Sequence, residues 1–273
     1  MNKNAIILYE ELSMNAHPAL RTQLLDGWIL RFSGGYTNRA NSVSPLYPSR
    51  LPYVRKVSLC EKLYHKQQLP TIFKLTDASE PGLDEYLGTR GYEVAKPTFL
   101  YIKKSLAHQA AAANIHIQNY VNQEWCGEFL RLNEIGDPLN AGAAAGMLES
   151  ISNEVLCAQT VQDGKVIACG LCVIERGFAG LYDIVVAPEY RGRGCGFEIC
   201  AALLGRAVQC GAKESYLQVV ASNISAIALY KKLGFSYSYQ YWYRVKKTKK
   251  SKKQPVLPEL NDSKEPKQKS RVY

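Results

Sequence analysis

Three observations predict an α/β fold, a mixed central sheet flanked by helices. From residue 155 to 245, apolar runs of strand length alternate with stretches of helical periodicity. Asp-Gly and glycine-rich junctions separate them, and residues 69–104 repeat the layout of strand, helix, Gly-aromatic and strand seen near residue 240. With 273 residues and an apolar fraction of 47%, the chain has ample material for a core.

Each element follows from its own residues. "VLCAQTVQDGKVIACGLCVIE" (155–175) reads as a hairpin closing at Asp163-Gly164, a pair that accepts the positive φ of a tight turn. A strand over 181–186 follows the turn "RGFAG". The helix after Gly194 places Phe197, Cys200 or Ala201, Leu204 and Val208 on one face and stops at Gly211. "SYLQVV" is a buried strand, "NISAIALYKKLG" a helix ending at Gly234, and "FSYSYQYWYRV" an aromatic-rich strand. "SLAHQAAAANI" (105–115) has no clear apolar face and reads as a linker.

The formal charge is +10, but residues 244–273 hold eleven Lys/Arg against three acidic residues, a net of +8. The remaining 243 residues carry 23 basic and 21 acidic residues, a net of +2. Nucleic acid therefore comes into question through the tail alone, which is too polar to fold by itself. No stretch approaches the roughly 20 apolar residues that span a bilayer, and the first twenty residues lack a secretory core. A soluble cytoplasmic protein without a membrane partner is expected. Eight cysteines in mostly apolar surroundings suit reduced thiols. In "CGLC", strand alternation sends Cys169 and Cys172 to opposite faces, so no metal is expected there.

"APEYRGRGCGFEI" (187–199) sets three glycines and two arginines between a strand and a helix. The first N–H groups of such a helix are unpaired and point along its positive end, where missing Cβ atoms let an anion approach. Arg191 and Arg193 add charge, facing a phosphate with the amides of Arg193, Gly194, Cys195 and Gly196. A Walker loop would need Gly-Lys-Ser/Thr, and a dinucleotide loop would need glycine at Phe197. Read with "SNISAIALYKKLGF" downstream, the segment resembles the GNAT superfamily of N-acetyltransferases, with Arg-x-x-Gly-x-Gly followed by strand, Asn, helix, Tyr and Gly-Phe. The resemblance spans roughly residues 115–245. It implies acetyl-CoA with its pyrophosphate on the loop and its pantetheine arm along Val185 and Val186, in a cleft where the next strand splays away. Asn223 matches a cofactor-contacting Asn, and Tyr230 matches the general acid.

The chemistry also stands on its own terms. Amine attack on a thioester builds an oxyanion, which a backbone N–H such as that of Val185 would stabilise, and expels a thiolate of pKa about 8.5. A phenol within reach supplies its proton. For the base, Asp183 is the odd residue in "LYDIVV", since burial would raise its pKa; Glu175 and a water chain are the alternatives. His17, His65, His108 and His116 lie outside or at the edge of this domain and are set aside.

Residues 1–105 read as a degenerate GNAT-like half, smaller and joined by a linker over 106–114 to an acetyltransferase domain over 115–245, with a basic tail over 246–273. Aligning Gly91-Tyr92 with Gly234-Phe235 puts Leu87 at the place of Tyr230, and "LYPSRLPYVRK" lacks the glycine loop. In "GWILRFSGGYTNRANSV", Gly34-Gly35 suggests a turn between two strands. Arg31, Arg39 and Asn41, with Ser42, could recognise a carboxylate or phosphate on the acceptor, or simply support the junction between halves. The expected activity is acetyl transfer from acetyl-CoA to a primary amine, on a small molecule or a peptide, without metal. The alternative is an acyl-CoA-binding module with little catalysis, tied to RNA or ribosomes by its tail. The sequence names neither the acceptor nor an oligomeric state.

Overall fold

A computed structural model describes residues 1–106 and 114–246. The linker centre and the tail beyond Lys246 lie outside the described residues. In chain order the elements are α1 (Lys3–Ala16), β1 (Arg21–Leu25), β2 (Trp28–Phe32), β3 (Val43–Pro45), α2 (Tyr53–Lys66), β4 (Ile72–Thr76), α3 (Leu83–Thr89), β5 (Tyr92–Lys104) and β6 (Ile115–Gln118). There follow α4 (Gln123–Leu132), α5 (Pro138–Glu149), β7 (Glu154–Gln162), β8 (Lys165–Glu175), β9 (Phe178–Val186), α6 (Cys195–Gln209), β10 (Glu214–Val220), α7 (Ile224–Lys232) and β11 (Ser236–Lys246). The α/β class holds, and every strand belongs to one mixed sheet in the order β1-β2-β3-β4-β11-β5-β10-β9-β8-β7-β6.

That order shows a repeat. The succession β1-β2-β3-α2-β4-α3-β5 recurs as β7-β8-β9-α6-β10-α7-β11, and each copy has exchanged its last strand with the other. β11 lies between β4 and β5, while β5 lies between β11 and β10, all antiparallel. Gly91 and Gly234 (φ 81° and 86°) end α3 and α7 in the same left-handed conformation. Leu87 is fully buried where α7 carries Tyr230.

The turns follow local chemistry. Asp163-Gly164 closes β7–β8 with φ of 50° and 72°, the double positive φ of a two-residue hairpin turn. The turn before β9 is shorter than the sequence suggests: Arg176 and Gly177 alone make it, at φ 53° and 79°, and pairing begins at Phe178. Gly34 and Gly35 sit between the antiparallel strands β2 and β3. In α6 the buried residues are Gly196, Ile199, Cys200, Ala202, Leu203, Leu204, Gly205 and Ala207, so Cys200 and Leu204 of the expected face are buried and the covered surface is wider than one stripe. Phe197 and Val208 flank it, because α6 is covered by the sheet on one side and α7 on another.

Two apolar layers sandwich the second half of the sheet. One holds α6 and α7, the other α1, α4 and α5, and Cys172 and Cys169 fall in the first and second respectively, as alternation requires. Arg244, counted above with the basic tail, belongs to β11. It grips Asp84 of α3 with two hydrogen bonds of 2.8 and 2.7 Å, while Trp242 donates to the same carboxylate at 2.8 Å.

At the exchange, Lys74 of β4 donates to Glu10 of α1 at 2.5 Å, both buried, and lies 4.0 Å from the ring centre of Tyr241. Tyr239 donates to the other carboxylate oxygen at 2.9 Å. Removing one partner of a buried pair leaves an uncompensated charge. Glu10→Ala should therefore lower stability by about 3–5 kcal/mol in urea unfolding. Combining Glu10→Met with Lys74→Met should recover most of that loss, and an equal cost in the Lys74→Met background would show that the pair does not carry it.

Candidate active site

Between β9 and α6 the chain makes a short 3₁₀ turn (Pro188–Tyr190) and then the glycine loop. Gly192 and Gly194 have φ of 75° and 91°, and a Cβ on either would meet no atom closer than 4.0 Å. Backbone conformation, not crowding, demands glycine there, and the space beside it is open. Gly196 differs: its Cβ would lie 3.0 Å from Leu229 and 3.6 Å from Val186, so α6 packs there against α7 and β9. Phe197 and Glu198 both donate to the Gly194 carbonyl, at 2.8 and 3.0 Å, and Arg191 donates to Pro188 at 3.3 Å. The amides of residues 192–196 find no acceptor among the described residues. Five successive N–H groups at a helix N-terminus, in an exposed loop with Arg191 and Arg193, form a nest for an anion. Arg193 lies over the Tyr190 ring at 5.3 Å, while the Arg191 Nε donates to the Val186 carbonyl at 3.0 Å.

The loop opens onto a cleft. β9 and β10 pair in parallel from Phe178↔Glu214 to Leu181↔Leu217 and then separate. The cause is a bulge in which residues 183 and 184 together oppose Gly170, with Asp183 at φ 53°. A side chain at Gly170 would put its Cβ 2.7 Å from Ile184 Cδ1 and 3.2 Å from Leu203 Cδ1, so the two side chain ends would have to give way opposite the bulge. The Ala187 amide donates to the Ile167 carbonyl at 2.8 Å, which makes that pair directly hydrogen-bonded. Two residues back, Val185 opposes Cys169 in the same phase, so its peptide groups face β8. Those of Val186 face the cleft, and its carbonyl indeed receives Arg191 there. The N–H aimed into the cleft thus belongs to Val186, one residue beyond the Val185 donor read from the sequence.

Asn223 caps α7, its Oδ1 accepting from the Ala226 amide at 3.1 Å, and its Nδ2 donates to none of the described residues. The Tyr230 ring meets Phe235 edge-on at 6.1 Å, and its hydroxyl forms no hydrogen bond with the described residues. Burial pushes that hydroxyl above the usual phenol range. Asp183 lines a cavity of about 20 Å³, together with His17, Tyr36, Phe129, Met147 and Leu171. Burial raises its carboxyl to about 6, against the opposing charge of Arg39. Burial and the nearby Arg39 and Arg31 push the His17 imidazole down to about 3, so it is neutral.

The family model "Probable histone acetyltransferase Rv0428c C-terminal" matches residues 5–244, nearly the whole described chain. The chain is a GNAT N-acetyltransferase of this family. It is 28% identical over 243 residues to the "Uncharacterized N-acetyltransferase YobR" of Bacillus subtilis, covering 87% of this chain and 97% of that protein. The Escherichia coli ribosomal protein bS18-alanine N-acetyltransferase is 36% identical over 78 residues, 29% of this chain and 53% of the enzyme. Among solved structures, a GCN5-related N-acetyltransferase from Kribbella flavida superposes with a TM-score of 0.64 at 13% identity, covering 89% of this chain and 95% of that one. A tandem GNAT protein of the clavulanic acid pathway gives 0.61 at 12% identity, covering 86% of both chains. At such identities the likeness is one of fold.

Within this acetyltransferase, the residues singled out in the first part of the chain have different fates. Arg31 is buried and donates to the carbonyls of Arg39 at 2.7 Å, Met14 at 3.4 Å and His17. Asn41 is buried too: its Oδ1 accepts from Ser33 and Gly35 at 2.7 and 2.9 Å, and its Nδ2 donates to Thr37 at 2.8 Å. Both fix the loop over 33–41. Arg39 reaches inward to Tyr241; burial works against its charge, but Tyr241, Tyr243 and Asp183 outweigh it and hold the guanidinium protonated. Glu175 lies outside the cavity, accepting from Asn15 at 3.1 Å and Asn153 at 3.3 Å and pairing with Arg176. His17, set aside on sequence position, stands beside Asp183, because α1 crosses the junction that its place in the chain does not reveal.

The raised carboxyl of Asp183 has a consequence for stability. Its native form holds a proton more tightly than the unfolded chain, so its contribution is full below the ordinary carboxylate range and is lost as pH rises through about 6. Urea midpoints should fall between about pH 4 and 6 on this account, and Asp183→Asn should flatten that limb. An unchanged profile in the variant would show that Asp183 titrates normally.

Proposed function

We propose that this acetyltransferase moves an acetyl group from acetyl-CoA to a primary amine by direct attack. The observation that carries the reading is the run of free amides at 192–196, which follows the edge of β9 left unpaired beyond Leu181, with Asp183 in the bulge of that same strand. The space beside Gly192 and Gly194 suits the pyrophosphate, the nearest side-chain atom to a Cβ at either being Glu198 Oε1, 4.0 Å from that of Gly194. When bound, acetyl-CoA supplies a thioester acetyl group. The amides of Arg193, Gly194, Cys195 and Gly196, with Arg193 and Arg191, would hold the phosphates. The edge of β9 at Val186 would align the arm, and Asn223 would offer its Nδ2.

The Val186 N–H faces the place where negative charge develops at the reacting carbonyl. Tyr230 keeps its proton at neutral pH, since burial raises its pKa, and so has one to give to a thiolate. Asp183, ionised above about pH 6, would take the proton of the ammonium. Asp183 is favoured over Glu175 because it alone of the two lines the cavity beside the cleft.

Two measurements bear on this. Acetyl-CoA should raise the melting temperature of the protein, and Gly194→Val should abolish the rise, because a β-branched residue at φ 91° distorts the nest. An undiminished shift would refute the loop assignment. Tyr230→Phe keeps the ring contact with Phe235 and should lower kcat by about 10²-fold with little change in acetyl-CoA affinity. Turnover within a few-fold of wild type would leave Tyr230 a packing residue.

A further inference from the structure

On the face of the sheet opposite α6, a groove of about 710 Å³ runs between the end of α1, the hairpin β1–β2 and the segment joining α5 to β7. That is within the roughly 300–1,000 Å³ of small-molecule sites. The groove and the Asp183 cavity share Pro18 and interleave along the same two segments. Met14 and Asn15 line the groove where Ala16 and His17 line the cavity, and Ser150 and Ser152 line the groove where Leu148 and Ile151 line the cavity. The cavity and the groove therefore lie side by side, with Pro18 between them.

The cavity has a definite chemistry. Its walls are Phe129, Met147, Leu148 and Leu171, and about 20 Å³ is room for a group the size of one water. Three residues with polar side chains are among those that line it: Asp183, Tyr36 and His17. His17 Nδ1 is buried with no hydrogen-bond partner among the described residues, which is costly unless something binds there. The residue itself is fixed, since its amide donates to Ser13 at 3.2 Å and its carbonyl accepts from Arg31.

Resting on the acetyl-transfer reading above, we infer that the groove is the acceptor's approach, that His17 and Tyr36 bind the acceptor amine together with Asp183, and that the acceptor is a primary aminoalkyl group. An ammonium has three N–H donors, and three polar groups meet it. Its neighbouring carbon must be an unbranched methylene, because the apolar walls leave no place for a second substituent. The methylene stem then passes Pro18 and Ile151 to the polar groove, where Asn15, Asn153 and Glu175 meet the rest of the acceptor.

The test uses the full chain, labelled with ¹⁵N-histidine and titrated with n-butylamine or the α-branched sec-butylamine, without acetyl-CoA. The four histidines are resolved by a His17→Gln control. The His17 resonance should shift saturably with n-butylamine, with at least tenfold weaker response to sec-butylamine. Tyr36→Phe should weaken n-butylamine binding about threefold to tenfold, the worth of one hydrogen bond, while leaving the acetyl-CoA thermal shift intact. Equal binding of both amines, or no response at His17, overturns the inference. Because amine binding is read without acetyl-CoA, that failure is distinct from loss of the thermal shift, which would strike the donor assignment instead.

Discussion

One backbone irregularity organises the site: the bulge at Asp183 in β9. An extra residue opposite Gly170 increases the local twist, so β9 parts from β10 after Leu181 and a cleft opens where a regular parallel pair would be closed. The same extra residue changes the phase of the ladder, turning the Val186 peptide toward the cleft and Val185 toward β8. It also holds the Asp183 backbone at φ 53°, aiming a carboxylate into an apolar layer. A positive φ at a non-glycine residue costs of order 1–3 kcal/mol and persists only where the surroundings enforce it. Here Ile184, the other residue of the bulge, packs into the space that Gly170 leaves by lacking a side chain, and Tyr36 of the loop over 33–41 lines the Asp183 cavity.

The exchange of β5 and β11 explains why residues from the first part of the chain reach this cleft at all. With β11 seated between β4 and β5, Tyr241 donates to Gln218 of β10 at 3.1 Å, just past the point where β10 leaves β9. Arg39 bonds to the same tyrosine, and Gln218 donates to Ser13 of α1 at 2.9 Å. The chain that reads as two consecutive halves is thus stitched into one sheet. Neither half has a complete set of its own strands, so each contributes to the other's core.

What could be read from the sequence was what is local. Asp163-Gly164 needs only its own conformational preference, and the glycine loop needs only the strand before it and the helix after it. Val185 was a near miss for a nonlocal reason: the phase of a strand depends on a bulge whose signal, Gly170 inside "CGLC", is legible only once its partner strand is known. The wider buried surface of α6 and the position of His17 are nonlocal in the same way, since α7 and α1 cover surfaces that periodicity along one segment cannot assign. Arg31 and Asn41 are polar and close in sequence, but only the fold shows that both bond to the main chain and that Arg31 also lines the groove beside α1.

Arg39 sets the balance of charges at the cleft. A carboxylate sunk among Phe129, Met147 and Leu171 would be driven strongly toward its neutral form by desolvation alone. Arg39 opposes this, and the carboxyl settles near 6, ionised at neutral pH but more basic than an exposed aspartate. The guanidinium can stay charged in its own buried setting because Tyr241 and Tyr243 surround it, and the tyrosines are held there by the exchanged strand. Burial, with the same positive charge adding to it, keeps His17 neutral, which leaves an imidazole able to accept a hydrogen bond instead of a cation that would repel an ammonium. Strand exchange, guanidinium, carboxylate and imidazole therefore form one dependency, in which the topology of the sheet fixes the protonation states at the site.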